Sequence, residues 1–403
     1  MHVVVIGAGV IGTTSAYYLS RLGCRVTVVD RATDVAKEAS YGNAGQLSYS
    51  FTDALAKPEF VTKIPGLVAG RDNAYQVRLR PNLVPWGVRF LSQCTKTRAA
   101  RNTVAVLETA LRSEKLMEEL RDELPFEFSH RTAGKLVLLG SEADVTAARK
   151  TAALKEEHGC KTEILSPEAA VDLEPALSDM QRDFVAAVYS EHDSVADSHA
   201  FCRGLKEMLV GTGRVDFKLG ATVRRLIKNG SRIVAIELDD GQLSADAFVV
   251  CAGAWSGDLL RPLGVDPHIY PVRGYSMTLP PGPSAPDVSV TVLNRKIVFS
   301  RINGRVRIAG FADFLGFSED EDDDRIATLI EVAREYAPLA ADYDAVDQEA
   351  WGGFRPMTPD GQPRVERSDI DGLYLNTGHG MLGWTLACAS GHDIARLVAR
   401  PTH

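Results

Sequence analysis

The sequence predicts an α/β chain in two parts: a doubly wound dinucleotide-binding domain and a second α+β domain built on an antiparallel sheet. Three stretches predict it. The first thirty residues read as strand, glycine turn, helix and strand. From Tyr270 the chain runs as successive strand patterns, and a second glycine-rich strand-to-helix turn stands near its end.

In MHVVVIGAGVIGTTSAYYLSRLGCRVTVVD, residues His2 to Ile6 form a short buried strand. Gly7, Gly9 and Gly12 let the backbone turn tightly and approach a pyrophosphate without a Cβ in the way. Amides at the start of a helix from about Val10 to Leu22 then face the phosphates. Gly23 ends that helix, Arg25 to Val29 make the next strand, and Asp30 at its tip is placed to accept from a ribose hydroxyl pair. Strand, helix and acid together make this a Rossmann-type unit, which a bare GxGxxG would not. Arg31 either meets the adenosine side of a cofactor or is solvated.

A chain of 403 residues suits about two domains, and 45% hydrophobic residues is an ordinary globular composition. The net charge of −8 offers no basic field to nucleic acid. Cysteines 24, 94, 160, 202, 251 and 388 form no CxxC, so no metal site is expected and a reducing compartment is. The chain enters its first strand without a charged leader, and no apolar run reaches membrane-spanning length, so a cytoplasmic location is expected. A peripheral contact at the inner face of the cell membrane stays open for residues 51–95. Four prolines interrupt that stretch, and no long regular element is expected before Pro85. Its apolar patches (Phe60, Val61, Ile64, Leu67, then Leu83, Val84, Trp86, Phe90, Leu91) either pack on the parent domain or form a lid, a partner surface or a membrane contact.

Between these landmarks, EASYGNAGQLSYS at 38–50 suits either a backbone running against a flat ligand, through Gly42 and Gly45, or an ordinary surface turn. Lys96 to Leu124 is helical, with Val104, Leu107, Leu111 and Leu116 inward. Gly134 to Leu139 opens the second domain, a helix follows over Ala143 to Glu157, and Ser166 caps another. A helix beginning near Asp197 or Ser198 returns the chain to the first domain. Asp239, Asp240 and Gly241 mark a hairpin, and AFVVCAGAWSGDLL repeats the grammar of the amino terminus, either with Ala252 and Gly253 close to a ligand or as a plain strand-to-helix connection. The acidic run at 318–325 precedes a helix over about Ile326 to Tyr336 and reads as a solvated helix start rather than a metal site. The expected boundaries are 1–125, 189–269 and 341–403 for the nucleotide domain, and 126–188 and 270–340 for the substrate domain.

GFRPMTPDGQP and GLYLNTGHGMLGWTLACASG carry the second signal. Leu373 to Asn376 form a strand, glycines 378, 380 and 383 a turn, and Thr385 to Ala399 a helix whose start presents free amides and a partial positive charge. One turn suits a pyrophosphate and the other an anionic ring edge, which points to FAD over NAD, because a reduced flavin is anionic near N1 and O2. The flavin would then carry the redox chemistry, in keeping with the lack of a nucleophile triad. Arg355 either clamps a substrate carboxylate or braces its loop through an ion pair. Tyr275 donates to the same carboxylate, covers the ring or sits in the core. His379 is either a base or a packing residue.

Taken in order, VVVIGAGVIGTTSAYYL, the NAG of 43–45, PVRGYSMT, FRPMTPDG and NTGHGMLGWTLACASG resemble the D-amino acid dehydrogenases, flavin enzymes of the wider D-amino acid oxidase and glycine oxidase group, over nearly the whole length. The resemblance implies that Gly7, Gly9, Val10, Ile11, Gly12, Asp30 and Arg31 hold the ADP part of FAD. It implies that Ser40, Asn43, Ala44, Gly45, Gln46 and Leu47 line the flavin, that Val223 meets the adenine through its backbone, and that Cys251, Ala252, Gly253 and Trp255 border the cofactor. Gly378, Gly380, Met381, Leu382, Gly383, Trp384 and Thr385 would surround the pyrimidine edge. Arg355 matches the group's carboxylate-binding arginine; Tyr275 is a weaker match, because that position varies. The implied activity is oxidative deamination of D-amino acids to 2-oxo acids and ammonia, with electrons passed to a quinone or respiratory acceptor. Open alternatives are an oxidase or dehydrogenase of glycine, sarcosine, D-proline or hydroxy-D-proline, a non-catalytic FAD-binding subunit of a larger complex, and an NAD-linked dehydrogenase. The oligomeric state also stays open.

Overall fold

In the run His2–Ile6, Val3 and Val5 enter one core with the helices Val10–Arg21 and Gly383–Ala399, while Val4 and Ile6 enter another with Leu226, Ile233 and Ile236. A strand apolar on both faces belongs inside a parallel sheet covered on both sides. The computed structural model, which describes residues 1–70, 72–181, 183–320 and 322–400, places it there. The six-stranded sheet runs in the order Arg364–Arg367, Leu373–Thr377, Ala247–Val250, His2–Ile6, Arg25–Asp30, Val215–Leu219, parallel except for its first edge strand. The chain leaves His2–Ile6 toward one side and later fills the other, which makes a switch point at the carboxyl end of that strand.

Helices from the two ends of the chain lie against each other. A Cβ on Gly391 would come within 2.9 Å of the Thr14 carbonyl carbon, so only glycine there allows this approach. The approach sets the two glycine turns side by side.

The second sheet has eight strands in the order Glu349–Met357, Tyr270–Leu279, Arg305–Asp313, Ile297–Ile302, Ser289–Val292, Lys135–Leu139, Ala186–Ser190, Glu163–Leu165. Every pair is antiparallel except Ser289–Val292 with Lys135–Leu139. Asn303 and Gly304, both at positive φ (52° and 74°), close one hairpin as the strand twist favours. Beneath the sheet, Arg325 grips the buried Asp313 through two bonds of 2.7 and 2.9 Å. This buried ion pair ties the strand Arg305–Asp313 to the helix Asp322–Tyr336.

Several expectations change. Glu349–Met357 pairs along its length with Tyr270–Leu279, so this segment belongs to the second sheet and not to the 341–403 portion of the nucleotide domain. Residues 51–95 hold two helices, Pro58–Val68 and Leu83–Gln93. Prolines read as breakers there, yet Pro58 and Pro85 stand in first turns, where no amide partner is lost; Pro65 lies inside its helix. In the helix Lys96–Glu123 the inward face is Val106, Leu107, Ala110, Ser113, Met117 and Leu120, turned from the expected one because small residues meet the helix Gly383–Ala399. The helix expected from Ile326 begins at Asp322, with Asp322, Asp323 and Asp324 in its first turn; Glu321 of the acidic run lies outside the described residues. Asp197 caps the returning helix by accepting from the His199 and Ala200 amides. All six cysteines are buried and unpaired.

Candidate active site

A cavity of about 1160 Å³ opens at the carboxyl ends of the central parallel strands and extends across the face of the second sheet. At its first end Gly7 takes φ +110°, and a Cβ there would lie 2.5 Å from the Cys251 carbonyl oxygen. Gly12 is tighter still: its Cβ would fall 1.8 Å from the Gly7 oxygen. Such packing keeps the turn open to a flat anionic chain. The Val10 amide is already engaged by Ser40 Oγ at 3.0 Å, and Gly9 brings no capping side chain to the helix start. Asp30 accepts from the Ala8 amide at 2.6 Å and the Ala32 amide at 2.8 Å, and its carboxylate keeps further lone pairs for a ribose. Arg31 pairs with Glu38 and lies 4.0 Å over the Trp255 ring, making a flat wall at this end.

At the second end, Leu382 gives no side-chain cap to the helix Gly383–Ala399, so its first amides and partial positive charge are left for an anion. The Gly380 amide donates to the Pro356 carbonyl at 3.0 Å and ties this turn to the strand of Arg355. His379 is buried, and burial alone pulls its pKa down to about 3. The ring is therefore neutral throughout the working range, which leaves it a weak base. Its Nε2 and the Oδ1 of Asn376 are buried without a partner among the described residues, and both residues line the cavity.

The third part surrounds Arg355. Its Nη1 donates to the Phe311 carbonyl at 2.6 Å and Nη2 reaches the Gly310 carbonyl at 3.5 Å. Among the described residues no carboxylate stands within ion-pair distance of this guanidinium. Burial penalises its charge, and Asp313 only partly offsets that. The guanidinium lies flat over Gly274, where a Cβ would sit 2.3 Å from Cζ. Tyr275 borders the cavity, but its hydroxyl donates to Asp313 at 2.9 Å and its ring belongs to the core. Its hydroxyl hydrogen is committed to Asp313, while the residue still borders the cavity.

Most of the residues singled out in sequence line this one cavity: Gly7, Gly9, Val10, Ile11, Asp30, Arg31, Ser40, Asn43, Ala44 and Gln46 from the first part, then Val223, Cys251 to Gly253, Trp255, Arg355, His379 and Gly380 to Trp384. Five stand behind its wall instead. Gly12 buttresses Gly7; Gly45 packs on Ile302; Leu47 is in the core; Gly378 faces Thr358; and Thr385 accepts from the Ser48 amide. Sequence reasoning missed Gly274, the seat of Arg355. It also missed Tyr75 and Lys135, which line the cavity from the segment 51–75 and from the second sheet. The only signal for Gly274 was a glycine inside a strand pattern.

The family model for FAD dependent oxidoreductases, DAO, matches residues 2–397. The chain belongs to this family. Curated relatives within reach are D-amino acid dehydrogenase 2 of Ralstonia nicotianae, 39% identical over 99% of this chain and 97% of the relative, and D-amino acid dehydrogenase of Dechloromonas aromatica, 37% identical over 99% and 97%. Among solved structures, glycine oxidase from Geobacillus kaustophilus shares the fold at a TM-score of 0.77 and 21% identity, covering 100% of this chain and 95% of its own. An L-alpha-glycerophosphate oxidase from Mycoplasma pneumoniae with FAD bound shares it at 0.74 and 17% identity, covering 99% and 95%. The cofactor of this DAO-family chain is FAD. The glycine cradle that any Cβ would fill, the uncapped helix start and the unpaired polar atoms of His379 and Asn376 all fit such a group.

Proposed function

We propose that this chain oxidises D-amino acids to 2-oxo acids and ammonia, with Arg355 as the carboxylate anchor. The observation that carries the reading is a guanidinium on the wall of the flavin cavity with two backbone carbonyls and, among the described residues, no acid as partners. A cation so placed calls for an anion from outside the chain, and a bidentate carboxylate suits its fork. The full-length relatives named D-amino acid dehydrogenase support the D configuration.

When bound, FAD supplies the acceptor for the hydride of the substrate Cα. Gly7, Gly9, Asp30 and the wall of Arg31 and Trp255 would hold its nucleotide part, and the turn Gly380–Gly383 its ring edge. Arg355 fixes one end of the substrate, so that orientation and charge complementarity provide much of the acceleration. His379, neutral at working pH, offers a ring N–H as a hydrogen-bond donor but is not an imidazolium acid.

The electron acceptor in this reading is a quinone or respiratory component reached at the membrane surface. The helix Leu83–Gln93 supports it: Val84, Val88 and Leu91 are 59%, 63% and 45% exposed along one stripe, beside the exposed Arg89 and Lys96. Apolar residues flanked by cations suit an anionic lipid face, on a chain whose net charge is −8. No described helix is long and apolar enough to cross a membrane.

Anaerobic mixing of the yellow protein with amino acids tests the proposal. D-amino acids are expected to bleach the flavin within seconds, while their L-enantiomers, glycine, sarcosine and D-proline leave it oxidised; a soluble quinone then restores the colour faster than air. Bleaching by glycine or sarcosine alone would transfer the site to amine oxidation, and no bleaching by any of them would favour a non-catalytic subunit.

A further inference from the structure

Lys135, the first residue of a strand in the second sheet, is 2% exposed and lines the cavity. Its Nζ donates to Gln46 Oε1 at 3.0 Å and Ser48 Oγ at 2.8 Å, and lies 4.3 Å over the Phe51 ring. All of these partners are neutral. Other charged groups lie close by. Lys155 donates to Asp53 at 2.6 Å, Lys57 stands 3.5 Å from the same carboxylate, and Asp193 accepts from the Ser50 amide and hydroxyl at 3.0 and 2.8 Å. Three lysines thus face two aspartates, which leaves one positive charge in excess; Asp193 opposes Lys135 from beyond ion-pair distance, and among the described residues no carboxylate pairs with Lys135 directly.

The place of that charge is informative. Gln46 is on the segment that runs along the cavity, and the Ser48 amide donates at 3.0 Å to Thr385 in the first turn of the uncapped helix. Lys135 therefore adds to the partial positive charge at the end of the cavity where the flavin ring edge is read to lie. A buried lysine with no carboxylate at ion-pair distance is costly and persists when something else benefits from it. Reduction of a flavin by two electrons and one proton leaves one net negative charge on the ring system, and in a low-dielectric cavity a nearby cation stabilises it strongly.

We infer that Lys135 raises the reduction potential of the bound flavin by stabilising its anionic reduced form. The inference rests on the flavin seat described above. Burial also pulls the Lys135 pKa down to about 8, against the opposing pull of Asp193. The cation is therefore present below about pH 8 and fades above it.

The test is the two-electron potential of FAD-loaded protein, set against a reference dye from pH 6.5 to 9.5. At pH 7, Lys135→Met is expected to shift the equilibrium toward oxidised flavin by at least about tenfold, which is about 30 mV for two electrons. Lys135→Arg stays near the parent. The gap between the parent and Lys135→Met closes as pH rises past 8, while the parent falls below Lys135→Arg. Should Lys135→Met fail to hold FAD, the divergence between the parent and Lys135→Arg above pH 8 remains the readout. Equal potentials for all three FAD-loaded proteins, or gaps unchanged across the pH range, overturn the inference and leave Lys135 a brace between its strand and the segment of Gln46 and Ser48. Failure of the flavin seat itself shows differently, as FAD retained in full when Gly12 is replaced by Val.

Discussion

Arg355→Ala is expected to lower kcat/KM for D-amino acids by about 1.5–3 kcal/mol, the range for a hydrogen bond to a charged group, which is roughly ten- to 150-fold. The loss should appear mainly in KM, because the guanidinium holds the carboxylate in ground and transition state alike. Bound FAD should stay at the parent level, since Arg355 touches the Phe311 and Gly310 carbonyls of the second sheet and not the glycine cradle. Arg355→Lys should recover little: an ammonium keeps the charge but loses the fork, and Gly274 leaves a flat slot shaped for a planar group. Steady-state kinetics with a dye acceptor read both variants, and unchanged kinetics in Arg355→Ala would remove the anchor.

Gly12→Val should abolish FAD binding. Its Cβ would lie 1.8 Å from the Gly7 oxygen and 2.9 Å from the Gly7 carbonyl carbon, and both atoms are backbone. The turn and the helix Val10–Arg21 have to separate, and the Gly7 contact with Cys251 goes with them. A displacement of this size adds overpacking in a close-packed region, where one extra methylene already costs about 1–3 kcal/mol. Gly9→Ala makes the control: its Cβ would meet only the Ser40 hydroxyl, at 3.3 Å. The ratio of flavin to protein absorbance in the purified variants reads the difference, which should be near-complete loss for Gly12→Val and partial loss for Gly9→Ala.

How much of this was legible in the sequence depended on the range of the interaction. His2 to Asp30 could be read residue by residue because strand, turn, helix and acid follow one another locally. Arg355 stood out by its chemistry, and the structure gives it no acid partner among the described residues. Tyr275 did not fare as well. Neighbouring residues on a strand face opposite sides, and which of Gly274 and Tyr275 faces the guanidinium is a matter of register, which only the pairing of Tyr270–Leu279 with Glu349–Met357 settles. Gly274 takes the slot, and Tyr275 is left to Asp313. Lys135 was invisible for a related reason: in sequence it is one polar residue at the start of an apolar run, and its burial follows from the distant segment of Gln46, Ser48 and Phe51 closing over its amino group. The two helices of residues 51–95 were hidden because proline is a breaker inside a helix and a welcome residue at its start.

The account stands on Arg355 gripping a carboxylate inside the flavin cavity. The direct measurement is a crystal structure of the FAD-loaded protein soaked with a 2-oxo acid product. The predicted result places FAD between the two glycine turns and the carboxylate on the Arg355 guanidinium, with N–H···O distances of about 2.7–2.9 Å. A carboxylate bound elsewhere in the cavity, with Arg355 still held by the Phe311 and Gly310 carbonyls alone, would contradict it.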